Sequence, residues 1–145
     1  DVAVTLKDLI SKADQRVIVT SFASNVARIR SVAEAAQAAG RSVVLVGRAM
    51  RRAVDVATEI GYLSDLPPFL DQDAFSDLPR DQVVALMTGS QGESRAALAR
   101  AASGSNRDIK MVPGDLVIFS SRAIPGNERS VNDIENDDVE HKRSR

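Results

Sequence analysis

Val83-Val84-Ala85-Leu86-Met87 runs directly into Thr88-Gly89-Ser90-Gln91-Gly92-Glu93, and an alanine-rich stretch follows to residue 102. The apolar run predicts a buried strand, the polar turn with two glycines a tight junction, and the alanine-rich stretch a helix. The start of such a helix presents unpaired backbone N–H groups and the positive end of the helix dipole. The junction is therefore a candidate anion site, and phosphate is the simplest ligand for it.

The same alternation of strand and helix extends over most of the chain. Short apolar runs predict strands at residues 16–20, 42–46, 82–87 and 116–119. Apolar positions at helical spacing predict helices at residues 2–13, 26–39, 48–60 and 93–102, a short helix at 72–76, and another that begins near residue 127 or 128. This pattern predicts a three-layer, Rossmann-like α/β fold, in which helices cover both faces of a mostly parallel sheet.

The polar junctions that follow the strands are expected to lie side by side. All strands of a parallel sheet end at one edge, and ligands of such folds bind there. The junctions at residues 20–25, 47–48, 88–92 and 120–127 should therefore converge. Their candidate hydrogen-bonding side chains are Ser21, Ser24, Asn25, Thr88, Ser90, Gln91, Ser120, Ser121 and Asn127. Ser24 or Asn25 is also suited to cap the helix predicted at 26–39.

Arg48, Arg51 and Arg52 lie in the first turn or so of the helix predicted at 48–60. Cations in that position oppose the helix dipole at a cost of about 0.3–1 kcal/mol each. A basic first turn is favourable if an anionic ligand lies over it. Alternatively, the arginines form a solvated face and pair with Asp55 or Glu59 at helical spacing. The residues alone do not separate these interpretations.

Other features restrict the kind of site. The dinucleotide pattern Gly-x-Gly-x-x-Gly and the Gly-Lys-Ser/Thr phosphate loop are both absent, which disfavours nucleotide cofactors. The alternative to a phosphate site is that Gly89-Ser90-Gln91-Gly92 is an ordinary turn of small residues between a strand and a helix. Phe22 and Phe119 adjoin apolar strands, so both are expected in the core rather than stacked on bases.

The composition of the 145 residues also excludes several functions. There is no cysteine and a single histidine, His141, so this chain is not expected to bind a catalytic transition metal. The net charge is −1, so any binding of nucleic acid must depend on a local basic surface. No apolar run approaches the length of a membrane span, and no membrane partner is expected.

Four motifs in order resemble the β-CASP domain of bacterial ribonuclease J. They are Val19-Thr20-Ser21-Phe22-Ala23-Ser24-Asn25-Val26-Ala27-Arg28, Gly47-Arg48-Ala49-Met50, Leu86-Met87-Thr88-Gly89-Ser90-Gln91-Gly92-Glu93, and Gly114-Asp115 with Phe119-Ser120-Ser121-Arg122-Ala123-Ile124-Pro125-Gly126-Asn127-Glu128. The resemblance covers about residues 1–132. Residues 133–145 are expected to form a polar, frayed tail.

The resemblance implies a function and a site. Ribonuclease J is a zinc-dependent cytoplasmic RNase of the metallo-β-lactamase fold, with 5′-to-3′ exonuclease and endonuclease activity in RNA processing and decay. Its β-CASP domain is inserted in the metallo-β-lactamase domain, and single-stranded RNA, with a 5′-monophosphate end preferred, lies between them. By the matching motifs, Gly89, Ser90 and Gln91 are expected to hold RNA phosphate and backbone, while Ser24, Asn25 and Arg48 are expected to face the RNA.

The sequence departs from the family by lacking its metal-binding histidine motifs, and it begins with Asp1 rather than Met. We therefore expect the inserted domain alone, with no catalytic residue, no bound metal and no activity by itself. Its expected partners are RNA, the metallo-β-lactamase domain of the same protein, and a further copy in a homo-oligomer. The alternative is a stand-alone α/β module that binds a phosphorylated ligand or another protein.

Overall fold

A mostly parallel sheet forms the centre of the molecule. The computed structural model describes residues 2–87, 109–119 and 128–130. The strands in these ranges are β1 (Val17–Thr20), β2 (Ser42–Val46), β3 (Val83–Met87), β4 (Leu116–Phe119) and β5 (Glu128–Ser130). The helices in them are α1 (Val2–Lys12), α2 (Val26–Ala38), α3 (Arg48–Glu59) and α4 (Ala74–Asp77), with a 3-10 turn at Arg80–Gln82. The four predicted strands and first three predicted helices are confirmed, α4 overlaps the short helix predicted at 72–76, and the helix predicted at 93–102 lies outside the described residues.

The strands lie in the order β2-β3-β1-β4-β5. The first four are parallel, and β5 pairs with β4 in the antiparallel direction. The helix predicted to begin near residue 127 or 128 is therefore wrong, because Glu128–Ser130 is a strand. The connection at 120–127 is shorter than the dozen or so residues that a parallel crossover needs, so the returning chain pairs in the antiparallel direction.

Side chains of the central strands alternate between two apolar layers. Val17 and Val19 of β1 pack with buried residues of α1, α2 and α3 on one face of the sheet. Ile18 packs on the other face, where Phe75 of α4 and Ile109 are fully buried. The strands are apolar at successive positions because both faces are covered, as expected for parallel strands. The fold is thus a three-layer α/β arrangement, as predicted.

Buried charged groups hold together the edge of the sheet where the parallel strands begin. The Arg41 guanidinium donates hydrogen bonds to the carbonyl oxygens of Ala13 (2.7 Å), Gln15 (2.8 Å) and Val83 (3.0 Å). These bonds connect the starts of three segments that are distant in sequence. An arginine is accommodated in this buried position because its guanidinium N–H groups are hydrogen-bonded to these carbonyl oxygens.

Asp115 has a similar role next to β4. Its side chain is fully buried and accepts hydrogen bonds from the backbone N–H groups of Arg16 (3.2 Å) and Val112 (2.9 Å). Burial raises the pKa of the Asp115 carboxyl, and these two donors act in the opposite direction. The carboxylate therefore joins the turn at residues 112–115 to the beginning of β1.

Candidate nucleic-acid interface

The four parallel strands end side by side. The register pairs Thr20 with Met87 and with Phe119, and it pairs Val46 with Met87. The last residues of β2, β3, β1 and β4 thus form one row, and we call this row, together with residues 21–25 and 47–48 that follow β1 and β2, the carboxyl rim. The strand ends thus lie side by side as predicted, whereas the junctions at 88–92 and 120–127, which were expected to converge there, lie outside the described residues. Since Met87 lies between Val46 and Thr20, the chain leaves β3 between the junctions that follow β2 and β1.

Three of the predicted site residues follow β3 directly. Gly89, Ser90 and Gln91 lie outside the described residues, so their role stays a prediction. The other three, Ser24, Asn25 and Arg48, lie in the two junctions on either side of Met87.

The junction after β1 is a fixed turn. The Ser21 backbone N–H donates to the Met87 carbonyl (2.9 Å), which extends the strand pairing by one residue. The Asn25 backbone N–H then donates to the Phe22 carbonyl (3.0 Å), closing a turn that ends at the start of α2. Ser24 and Asn25 are exposed to solvent, whereas Ser21 is fully buried. Ser21, predicted as a hydrogen-bonding group of the junction, is therefore not accessible to a ligand in this structure.

Asn25 is the residue that caps α2. Its side-chain oxygen accepts a hydrogen bond from the Arg28 backbone N–H (3.0 Å). This bond satisfies one of the N–H groups that have no partner inside the helix. Of the two predicted cap residues, Ser24 and Asn25, it is thus Asn25 that caps the helix. The Asn25 amide NH₂ group remains on the exposed side chain as a donor suited to an anion.

Arg28 lies one turn into α2. Its side chain is partly buried, and this burial lowers the pKa of the guanidinium. An arginine retains its charge at neutral pH in proteins, so Arg28 contributes positive charge near this junction.

The junction after β2 consists of a single glycine. Gly47 has a φ of 97°, which a residue with a side chain rarely adopts, and α3 begins at the next residue. Gly47, the residue before α3, has no side chain with which to cap this end of the helix. The Arg51 N–H is bonded to the Gly47 carbonyl (3.2 Å), but the N–H groups ahead of it have no intrahelical partner. The rim thus includes a helix start whose dipole favours an anion.

The three arginines of α3 differ in their contacts. The Arg51 guanidinium forms a 2.6 Å ion pair with Asp71 and a longer one, 3.4 Å, with Asp55. The interpretation of a paired arginine face is correct for Arg51, although its closer partner is Asp71. Arg48 and Arg52 are exposed, and neither forms an ion pair with another residue in the described ranges.

A shallow hollow of about 580 Å³ lies beside α3 and begins at the rim. Arg48, Arg51 and Arg52 line it near the helix start, while Asp55 and Glu59 line it farther along the helix. The lining therefore favours an anion at the rim end and disfavours one at the far end.

Among the described residues there is no cluster of side chains suited to bind a metal ion. Within 2–87, 109–119 and 128–130, no three His, Cys, Asp or Glu side chains are close enough together to hold one. Over the same residues, no helix is long and apolar enough to cross a membrane.

Comparison with known proteins identifies relatives of nearly the whole chain. The family model described as "Ribonuclease J, beta-CASP domain" matches residues 14–137. Ribonuclease J of Sinorhizobium meliloti is 52% identical over 139 residues, which are 96% of this chain and 25% of that protein. Ribonuclease J of Mycolicibacterium smegmatis is 48% identical, over 90% of this chain and 24% of that protein. Ribonuclease J of Thermus thermophilus is 42% identical, over 94% of this chain and 24% of that protein. The chain thus spans about a quarter of the length of these relatives.

Proposed function

Because this chain belongs to the β-CASP family of ribonuclease J, we propose that it is the RNA-binding part of a ribonuclease. The relatives carry the name ribonuclease J over a length about four times that of this chain. The complete protein is then a zinc-dependent 5′-to-3′ exonuclease and endonuclease that acts in cytoplasmic RNA processing and decay. Its catalytic centre lies in a metallo-β-lactamase domain that packs against this one.

One observation carries the proposal. Exposed Arg48 and the start of α3 after Gly47 lie on the same rim as Ser24 and Asn25. These groups are a cation, backbone N–H donors without a partner inside the helix, a hydroxyl and an amide, which are the groups that commonly contact nucleic-acid phosphates. None of them reads base identity at such a contact, and this fits an enzyme that degrades RNA of many sequences. Gly89, Ser90 and Gln91 follow β3 in the sequence, and we propose that they hold a phosphate of the same strand.

The composition of the chain does not fit a zinc site. It has no cysteine and one histidine, and the described carboxylates do not form a cluster. Zinc in proteins is bound mainly by cysteine, histidine and carboxylate ligands held close together. We therefore propose that this chain positions the RNA, that it does not cleave RNA by itself, and that the metal is bound by the rest of the protein.

The proposed substrate is single-stranded RNA with a 5′-monophosphate end. It is tested by titrating the 145-residue chain with labelled RNAs of increasing length, with a 5′-monophosphate or a 5′-hydroxyl, at several salt concentrations. Affinity should rise with strand length, because each added phosphate contact releases counterions. It should fall with salt, by a slope of about 0.7 per phosphate in the logarithmic plot. A 5′-monophosphate should bind more tightly than a 5′-hydroxyl.

Two results would contradict this proposal. Equal binding of a mononucleotide and a long strand indicates a site for a small phosphorylated ligand, which is the alternative function. Robust cleavage by the purified chain with zinc, magnesium or manganese contradicts the assignment of catalysis to another domain. The molecular mass of the purified chain in solution would show whether it forms the homo-oligomer that we propose for the complete protein.

The loop after β3 is tested separately. Ser90→Ala and Gln91→Ala should weaken RNA binding and leave the thermal unfolding temperature almost unchanged. If either variant unfolds while binding per folded molecule is unaltered, the loop has a structural role only.

A further inference from the structure

Phe22 is an exposed aromatic side chain on the carboxyl rim. The exposed fraction of Phe22 is 42%, whereas the exposed fractions of Phe75 and Phe119 are 0% and 4%. The expectation that Phe22 and Phe119 both lie in the core is thus correct for Phe119 and wrong for Phe22. The physical reason is position: Phe119 is the last residue of β4, while Phe22 is already in the turn after β1.

The backbone of Phe22 is held on both sides. Its carbonyl oxygen accepts the Asn25 backbone N–H (3.0 Å) and lies 3.4 Å from the Ser21 hydroxyl, which donates to it. Ser21 is itself bonded to the end of β3. A ring carried on a fixed backbone loses little conformational entropy when it binds a flat ligand, which makes it suited to recognition.

The surroundings of Phe22 differ from those of a lone surface hydrophobe. Single exposed apolar side chains are common and need no explanation. Phe22, however, is two and three residues before exposed Ser24 and Asn25 and six residues before Arg28, and it lies on the carboxyl rim, which also includes Arg48. Proteins bind single-stranded nucleic acid with surfaces that combine aromatic rings and cations, because cations contact the phosphates while bases stack on the rings.

We infer that Phe22 stacks on an unpaired base of the RNA whose phosphates contact the rim. This inference rests on the proposed function and extends it from the strand's backbone to its bases. Every base has a π face, so the contact tolerates any sequence and requires only that the strand is single. It gives the site a preference for unpaired RNA that phosphate contacts alone do not supply.

The test uses a tryptophan as a reporter. The sequence contains no tryptophan, so Phe22→Trp introduces a single indole that keeps an aromatic face. Its fluorescence should be quenched by a single-stranded RNA and much less by a strand of equal length with abasic positions. Phe22→Leu, which keeps an apolar side chain without a π face, should weaken binding of the ordinary strand about 5- to 100-fold. On the abasic strand, Phe22→Leu and the original chain should bind equally.

Tyr62 provides a matched control. Its exposed fraction is also 42%, but it follows α3 at the end of that helix remote from the rim. Tyr62→Leu should bind both strands like the original chain. Circular dichroism of each variant checks the folded fraction, and Phe22→Tyr should retain the affinity that Phe22→Leu loses.

The outcomes separate the inference from the proposed function. If the original chain binds RNA and Phe22→Leu binds it equally well, stacking is overturned while RNA binding by the rim stands. An equal loss on ordinary and abasic strands also overturns stacking, because the ring then acts without a base. If the original chain does not bind RNA, the proposed function fails and this inference fails with it.

Discussion

Asn25 combines a structural contact with an amide group on an exposed side chain. Its side-chain oxygen caps α2 through the Arg28 N–H, while its NH₂ group is on an exposed side chain at the rim. A simple truncation therefore changes both stability and binding. The two effects can be separated because aspartate has the same shape and is an equally good cap.

Asn25→Asp is expected to leave the free energy of unfolding unchanged or slightly higher, since a carboxylate is favourable at a helix start. It should weaken RNA binding, because the carboxylate replaces an N–H donor and repels phosphate. Asn25→Ala should lower the free energy of unfolding by about 1 kcal/mol through loss of the cap. Urea unfolding and RNA titration of both variants measure the two quantities. RNA binding by Asn25→Asp at the original affinity would show that Asn25 is a cap and nothing more.

Arg48 and Arg51 form a natural pair of test positions. They lie one turn apart on α3, but only Arg51 is in an ion pair with a carboxylate among the described residues, at 2.6 Å from Asp71. Only Arg48 follows the rim glycine directly. The two arginines are therefore expected to differ in function although the sequence around them is alike.

Arg48→Gln should change the free energy of unfolding by less than about 0.5 kcal/mol, because the side chain is exposed. It should weaken RNA binding and reduce the salt slope by about 0.7, the value for one phosphate contact on a single strand. Arg51→Gln should cost up to about 1 kcal/mol of stability, as for other exposed ion pairs, and should change RNA affinity less. If Arg51→Gln weakened RNA binding more than Arg48→Gln, the proposal that Arg48 contacts the RNA would be contradicted.

At the scale of the elements, most of the architecture could be predicted from local patterns. Apolar runs and helical spacing gave the parallel strands and the first three helices, because burial on both faces leaves a strong signal in sequence. β5 could not be predicted in this way, since Glu128-Arg129-Ser130 has no apolar pattern and is a strand through pairing with β4. Asp71 as the partner of Arg51 was also out of reach, because it lies in an irregular connection twenty residues further on.

The carboxylate of Asp115 shows what sequence patterns omit. The sequence indicates a turn at residues 111–115, but not that this side chain is buried and bonded to the N–H groups of Arg16 and Val112. The contact with Arg16 joins the starts of β1 and β4. Such a contact between distant segments depends on the assembled sheet and has no local signature.

Asp115→Ala should therefore be strongly destabilising. It leaves two N–H groups without their acceptor, at a cost of about 1–3 kcal/mol for each one that stays buried. Asp115→Asn retains only one acceptor oxygen and should be less harmful than Asp115→Ala. Thermal unfolding of both variants measures the difference, and RNA affinity per folded molecule should be unchanged in both. An Asp115→Ala variant as stable as the original chain would contradict the role of this carboxylate.

At the scale of the whole molecule, the two edges of the sheet have different chemistry. The edge where the parallel strands begin is joined by buried groups, Arg41 and Asp115, that are already hydrogen-bonded. The carboxyl rim instead has exposed polar side chains, a helix start preceded by a glycine and an exposed aromatic ring. With a net charge of −1, the chain has no global attraction for RNA, so the RNA binding that we propose would depend on a local basic surface.

The position of the candidate site, at one edge of the sheet, could be predicted from the sequence. The parallel topology brings strand ends together, so Ser24, Asn25 and Arg48 were expected on one edge before their contacts were known. Which of these side chains is free and which is engaged depends on tertiary contacts. The exposure of Phe22 likewise depends on the turn in which it lies, and residue type alone indicated the core.

The most direct measurement is a residue-resolved NMR titration of the ¹⁵N-labelled chain with single-stranded 5′-monophosphorylated RNA. Our account predicts that the backbone amide signals of residues 21–25, 47–48 and 88–93 shift together with one binding curve, while those of Arg41 and Asp115 at the opposite edge stay in place. Shifts centred on the opposite edge, or spread evenly over the surface, would contradict the claim that the carboxyl rim is the RNA interface.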